Sequence, residues 1–280
     1  MSALAYNQLL SRLKALSRAA VAFSGGTDST FLLFAAKEVL GKENVLALTA
    51  DSVFFPREEA KAACALTESL GIRQMVVPVD PLSDPLIRQN PPNRCYHCKK
   101  RLLSALKERA QAEGFLHLLD GSNADDAGDY RPGAKAVREL HILSPLQEVG
   151  LNKAEIRTLS KEHGLATWGK PASACLASRI PYHEALTIEA LSRVEQAEAF
   201  LRSLGFSQLR VRAHQNLARI EVPFDELPRL TKACRINGVV ATLRSLGFTY
   251  ITADLSGYRM GSMNEILSEN QDNPPLENIR

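Results

Sequence analysis

The chain has 280 residues, 45% of them apolar, a formal net charge of +3 and five cysteines. That length holds one large or two modest domains, and so small a charge gives no argument for a nucleic-acid partner, although local basic clusters could still bind phosphates. With no apolar run of about eighteen residues and no export-signal pattern, the sequence excludes a membrane helix and leads to an expectation of cytoplasmic residence. There an odd cysteine count reads as metal ligands or reactive thiols.

In chain order, residues 4–16 read as an amphipathic helix. β-like runs at 19–23, 45–50, 74–79 and 116–120 then alternate with helical runs at 28–40, 57–70 and 97–113, which implies βαβ units and a parallel sheet. A helix at 152–163, stopped by Gly164, closes this part. Beyond it come a helix at 187–204 capped by Thr187, two β-like runs at 208–213 and 217–222, two short helices and a strand at 249–254. The expected fold class is α/β: a parallel-sheet domain over 1–165, a cysteine-bearing junction loop at 166–186, a small α+β domain at 187–267 and a disordered tail at 268–280.

Between the first strand and its helix lie Ser24, Gly25, Gly26, Thr27, Asp28 and Ser29. Two consecutive glycines let the backbone turn sharply, and the amides of residues 27–30 open a helix whose positive dipole end suits phosphate. Ser24, Thr27 and Ser29 add hydroxyl donors. The Gly-Lys-Ser/Thr of kinase-type phosphate loops is missing, which argues against ordinary transfer of a terminal phosphate. Ligands of parallel sheets bind beyond the carboxyl ends of the strands, so Asp51, Asn123, Asp125 and Asp126 join these six residues around one crevice. The six residues resemble the S-G-G-x-D-S loop of the PP-loop ATP pyrophosphatases, which cleave ATP between its α- and β-phosphates and leave AMP on a substrate.

Cys95 and Cys98 follow Pro91-Pro92 and are expected to precede the third helix. Their spacing suits a metal pair, and Arg94, Lys99 and Lys100 suit anionic sulfur, although the pair alone also admits a redox dithiol or an accidental spacing. Cys175, in Ser173-Ala174-Cys175-Leu176-Ala177-Ser178-Arg179, adds a third thiol at the domain junction. Three thiolates would leave one iron of a [4Fe-4S] cluster without a protein ligand; His97 or His183 would instead complete a zinc site. Cys64 and Cys234 read as small buried apolar side chains.

Arg210 and Arg212 alternate along a strand and share a face, where they could clamp a phosphate or simply be solvated. Glu198 and Glu221 read as solvated charges rather than metal ligands. Arg179 suits either contact with adenylate or substrate, or a structural ion pair. Trp168 reads as a packing anchor.

The six-residue loop, Cys95-Tyr96-His97-Cys98-Lys99, the run from Asp120 to Asp126, Asp129-Tyr130-Arg131-Pro132-Gly133, the run from Ala174 to Arg179 and the run from Gly257 to Asn264 are together similar to the LarE family. That resemblance spans the chain from the first loop almost to the tail. It implies an ATP-dependent sulfur transferase of nickel-pincer nucleotide biosynthesis, which adenylates the carboxylates of pyridinium-3,5-biscarboxylic acid mononucleotide and converts them to thiocarboxylates. By the same resemblance, residues 24–29, Asp51, Asn123 and Asp125 would hold the nucleotide, with Mg2+ on Asp28 or Asp125, and Arg210 and Arg212 would hold the substrate phosphate. Cys175, Asp28 and Arg179 would be catalytic, and the protein would be a homo-oligomer. The family has one-cysteine members that sacrifice the sulfur at the position of Cys175 and three-cysteine members that hold a [4Fe-4S] cluster. This chain resembles the second branch, with Cys95, Cys98 and Cys175 as ligands and sulfide coming from a separate sulfur donor. A tRNA thiolase lacks support from zinc-ribbon cysteines or from charge, an ammonia-using synthetase leaves three cysteines unexplained, and a nucleotide sensor would not release pyrophosphate on a carboxylate.

Overall fold

The computed structural model describes residues 2–127, 132–171, 174–259 and 261–264. Asp129, Tyr130, Arg131, Ser173, Met260 and the tail expected at 268–280 lie outside them. Two units are distinguished, Met1–Ala174 and Cys175–Arg280.

The first unit runs α1 Ser2–Lys14, β1 Ala19–Ala22, α2 Thr27–Leu40, β2 Val45–Asp51, α3 Arg57–Leu70, β3 Arg73–Pro78, α4 Pro85–Arg88, α5 Arg94–Ala112, β4 Leu118–Leu119, α6 Pro132–Glu139, α7 Pro145–Glu148 and α8 Lys153–Glu162. Its strands form one parallel sheet in the order β3-β2-β1-β4. Alternate residues of β1 face opposite layers. Ala19 and Val21 pack with Leu9 and Leu13 of α1, Phe31 and Leu32 of α2 and Ile156 of α8. Ala20 packs on the other side with Leu46, Leu48 and, from α5, Leu103 and Leu106. Burial on both faces is why β1 and most of β2 read as apolar runs, whereas the edge strand β3 is half-exposed.

From central β1 the chain winds outward to β2 and β3, and β4 returns on its other flank. The strand order therefore reverses between β1 and β4, and a crevice opens at their carboxyl ends. Two expectations shift here. Helix α5 begins at Arg94 rather than near residue 97, so both cysteines lie inside its first turns and not ahead of it. The fourth strand shrinks to Leu118–Leu119, continued only by a parallel bridge between Leu119 and Leu143. Helix α8 starts with a full capping box, Asn152 accepting from the Glu155 amide while Glu155 returns the bond.

The second unit contains α9 Ile188–Ser203, β5 Arg210–His214, β6 Leu217–Glu221, α10 Leu227–Ile236, α11 Val239–Ser245 and β7 Tyr250–Ala253. Strands β5 and β6 are antiparallel, joined through Gln215 at φ 51°, and β7 is parallel to β6. Thr187 caps α9 alone, its hydroxyl accepting from the Ala190 amide at 3.1 Å. Leu191, Val194, Ala197 and Leu201 bury the inner stripe of α9, which packs on β5. Among the described residues no helix is long and apolar enough to cross a membrane.

Candidate active site

Gly26 precedes α2 in extended conformation, and no side chain caps this helix. An uncapped N-terminus directs amides and a positive dipole end at whatever lies before it, which favours an anion. Gly25 sits at φ 70°, and a Cβ there would come within 3.0 Å of the Ala63 Cβ, so conformation and space both demand glycine. The hydroxyls serve the turn as well as any ligand. Ser29 Oγ donates to the Gly26 carbonyl at 3.2 Å and lies 3.2 Å from Ser24 Oγ, while Thr27 Oγ1 donates to the Thr167 carbonyl at 2.7 Å.

The loop after β4 closes on this mouth. A Cβ on Gly121 would lie 3.0 Å from the Ser29 nitrogen. Asn123, fully buried, donates its side-chain amide to Asp28 at 3.1 Å. Burial pushes the Asp28 carboxyl above its ordinary value, the Asn123 bond opposes this, and the nearby Asp126 charge adds to it. Asp125 accepts the Lys153 amide that opens α8 at 2.9 Å, and its own amide donates to Asn123 Oδ1 at 3.1 Å. Buried Asp120 gathers Ser122 Oγ at 2.7 Å, Ser144 Oγ at 2.6 Å and Lys99 Nζ at 3.1 Å. Direct bonds thus join Asp28, Asn123 and Asp125. Asp51 stands at the end of β2, paired with Arg57 at 3.5 Å.

On α5, Cys95 is exposed and Cys98 half-buried, three residues apart and therefore on one helix face. Arg94 is buried, donates to Asn90 Oδ1 and has Nη2 3.8 Å from Cys95 Sγ.

Cys175 opens the second unit, half-buried at the start of the short turn Leu176–Arg179. Arg179 is only 1% exposed. Its Nε and Nη2 donate to Glu198 at 2.8 and 3.0 Å, and its Nη1 donates to the Cys175 carbonyl at 2.9 Å. Arg212 forks onto Glu221 with two 2.9 Å bonds and reaches the Ser178 carbonyl at 2.7 Å and Ser262 Oγ at 2.8 Å. Arg210 stands with its guanidinium 5.3 Å from the Tyr258 ring.

The expectation of solvated Glu198 and Glu221 is corrected: both are fully buried counter-ions. Strand alternation shows which residues share a face but not which carboxylate a neighbouring helix or strand brings beneath it. Burial alone would raise Glu198, yet Arg179 and Arg202 hold it below its ordinary value. Burial, followed by the Arg179 charge, disfavours the charged form of Arg210, and the Glu198 carboxylate opposes this.

Among the described residues no three or more His, Cys, Asp and Glu side chains gather as a metal-binding group. Cys95 and Cys98 belong to the first unit and Cys175 to the second.

Residues 6–109 match the family described as NAD synthase. The chain is 44% identical over 264 residues, 94% of its own length and 95% of the relative's, to the pyridinium-3,5-bisthiocarboxylic acid mononucleotide synthase of Lactiplantibacillus plantarum. It is 43% identical over 254 residues, 91% and 94% of the two lengths, to the uncharacterized Synechocystis protein slr1717. The chain belongs to the LarE family.

As a LarE-family protein it is an ATP-dependent sulfurtransferase on a parallel α/β sheet. Several of its notable residues carry no sequence signal. Lys170 and Arg157 sit in no recognisable pattern, yet Lys170 touches the loop itself, with Nζ 3.0 Å from the Gly25 carbonyl. Two bland expectations also change. Cys64 is exposed, because its position on α3 faces away from the sheet, and Trp168 is 44% exposed with the Lys161 ammonium 4.8 Å from its ring. Cys234 is half-buried, and burial pushes its thiol up.

Proposed function

We propose that this protein adenylates the carboxylates of pyridinium-3,5-biscarboxylic acid mononucleotide with ATP and converts them to thiocarboxylates. The observation that carries the reading is near full-length similarity to a relative named for that product, in a chain whose uncapped α2 mouth suits a pyrophosphate. A carboxylate resists sulfur because oxide is a very poor leaving group. In the first step a carboxylate oxygen attacks the α-phosphorus and the bond to pyrophosphate breaks. In the second, an anionic two-electron sulfur nucleophile attacks the acyl carbon and the bond to AMP breaks.

The backbone amides of residues 24–29 would take up charge on the departing pyrophosphate, where it develops. Asp28, kept hydrogen-bonded by Asn123, with Asp125 and Asp51, would hold Mg2+ or its waters. Arg210 and Arg212 would bind the mononucleotide phosphate. Because Arg212 is already forked onto Glu221, its part is to supply charge and orientation, while Arg210 is the guanidinium with more of its donors available. Arg179 would position Cys175 through its carbonyl.

Cys95, Cys98 and Cys175 suit a [4Fe-4S] cluster by donor chemistry, soft thiolates with two on one helix face. When bound, such a cluster supplies an iron with no protein ligand, able to carry sulfide from an external donor. A cytoplasmic homo-oligomer belongs to the same reading. Anaerobically purified protein should contain iron and acid-labile sulfide and release pyrophosphate only when the mononucleotide dicarboxylate is present. Pyrophosphate release unaffected by that substrate would overturn the reading.

A further inference from the structure

The segment after α8 lies against the phosphate loop, within the first unit. Thr27 Oγ1 donates to the Thr167 carbonyl at 2.7 Å. Lys170 Nζ donates to the Gly25 carbonyl at 3.0 Å and to Glu59 Oε2 at 2.5 Å. Arg157 of α8 holds the segment's own backbone, donating to the Trp168 carbonyl at 3.2 Å and the Lys170 carbonyl at 2.9 Å. Lys170 is thus a fixed cation whose charge is matched by Glu59 from α3.

We infer that Lys170 is a positioning residue that locks the peptide between Gly25 and Gly26 in its anion-accepting orientation. This rests on the proposed use of the loop for the pyrophosphate of ATP. In a trans peptide the carbonyl and the next N–H point in opposite directions. With the Gly25 oxygen held on the Lys170 side, the Gly26 N–H is turned away from it and donates to Ser24 Oγ at 3.4 Å, the loop side on which an anion would compete for it. A Gly-Gly peptide has little steric resistance to flipping, because both residues reach conformations closed to other residues. Flipped, it would turn a carbonyl oxygen into the space meant for phosphate oxygens, and repulsion would replace a hydrogen bond. The Glu59 partner lets the lysine hold this carbonyl without being drawn onto the nucleotide as a free charge.

The lock acts on the β- and γ-phosphates more than on the nucleoside. Binding of ATP, inorganic pyrophosphate and AMP to the full-length protein, compared in the native chain, Lys170→Met and Lys170→Arg, tests it. Lys170→Met is expected to weaken ATP and pyrophosphate by about tenfold or more while AMP changes less than threefold, and Lys170→Arg is expected to restore most of the loss. KM for ATP should rise more than kcat falls. Equal weakening of all three ligands, or no rescue by arginine, would overturn the lock and leave a merely structural strap. If Lys170→Met does not fold, Lys170→Arg against Glu59→Gln decides. Glu59→Gln keeps the Lys170 donor and should retain pyrophosphate binding within threefold, whereas a loss of tenfold or more would contradict the lock. Failure of the native chain to bind ATP would instead sink the functional reading itself, a distinguishable result.

Discussion

Asn123 donates its side-chain amide to Asp28 at 3.1 Å, bridging 95 residues of chain and tying the loop after β4 to the first turn of α2. Both ends of that bond stand at the point where the strand order reverses. A carboxylate half-buried at a helix mouth is poised to hold a cation only if its charge is retained near neutral pH, and the Asn123 bond favours that charge.

Asn123→Ala should therefore raise the Asp28 titration further, since burial already lifts it and the opposing bond is gone. Stability should fall by about 1–3 kcal/mol because the side chain is fully buried, and ATP affinity by about tenfold. Isothermal titration with Mg-ATP across pH 5 to 8 checks this, with the loss in the variant beginning at a higher pH as acidity increases.

Gly25 and Gly121 make a matched pair of tests. Gly25→Ala meets both a φ of 70° and an Ala63 Cβ at 3.0 Å, and Gly121→Ala pushes on the Ser29 nitrogen at 3.0 Å. Each should abolish most ATP binding. Gly41→Ala has a comparable φ of 76° but open space around it, and should cost about 1 kcal/mol in urea unfolding with ATP binding intact.

The Arg179–Glu198 pair is a stability element whose pH dependence has a definite sign. Glu198 titrates below its ordinary 4.5 in the fold, so the pair stabilises at neutral pH and that contribution is lost as pH falls below 4.5 and through the lower folded value. Glu198→Gln leaves a buried guanidinium without its charge partner and should cost about 3–5 kcal/mol. The double variant with Arg179→Met should recover much of this in thermal unfolding while displacing the Cys175 backbone, which loses its 2.9 Å anchor.

Thiol substitutions separate ligands from bystanders. Cys95→Ser, Cys98→Ser and Cys175→Ser should each lower iron content and visible absorption of anaerobically purified protein by more than half, whereas Cys64→Ser and Cys234→Ser should leave both unchanged. Equal iron in all five would remove the cluster from the account.

The sheet and the loop were legible because their signals are local. An apolar run, a Gly-Gly turn and a helical run fall in consecutive residues, and strand, turn and helix follow at Ala19–Ala22 and Thr27–Leu40. What stayed hidden depends on pairing across the chain. Nothing near Arg212 announces that Glu221 of the neighbouring strand will meet it, or that Glu198 of α9 will lie under Arg179. Likewise Lys170 is an ordinary surface lysine in sequence, and only the return of the segment after α8 brings it onto the Gly25 carbonyl. The start of α5 reads about three residues late in sequence because its first residues, Arg94 to His97, carry no apolar period, although the residues that follow them do.

Oxygen transfer tests the adenylation chemistry most directly. With the mononucleotide's carboxylates enriched in oxygen-18, one labelled oxygen should appear in AMP for every thiocarboxylate formed, because the attacking carboxylate oxygen leaves with the phosphate. Unlabelled AMP, or ADP and inorganic phosphate in place of AMP and pyrophosphate, would contradict activation at this loop.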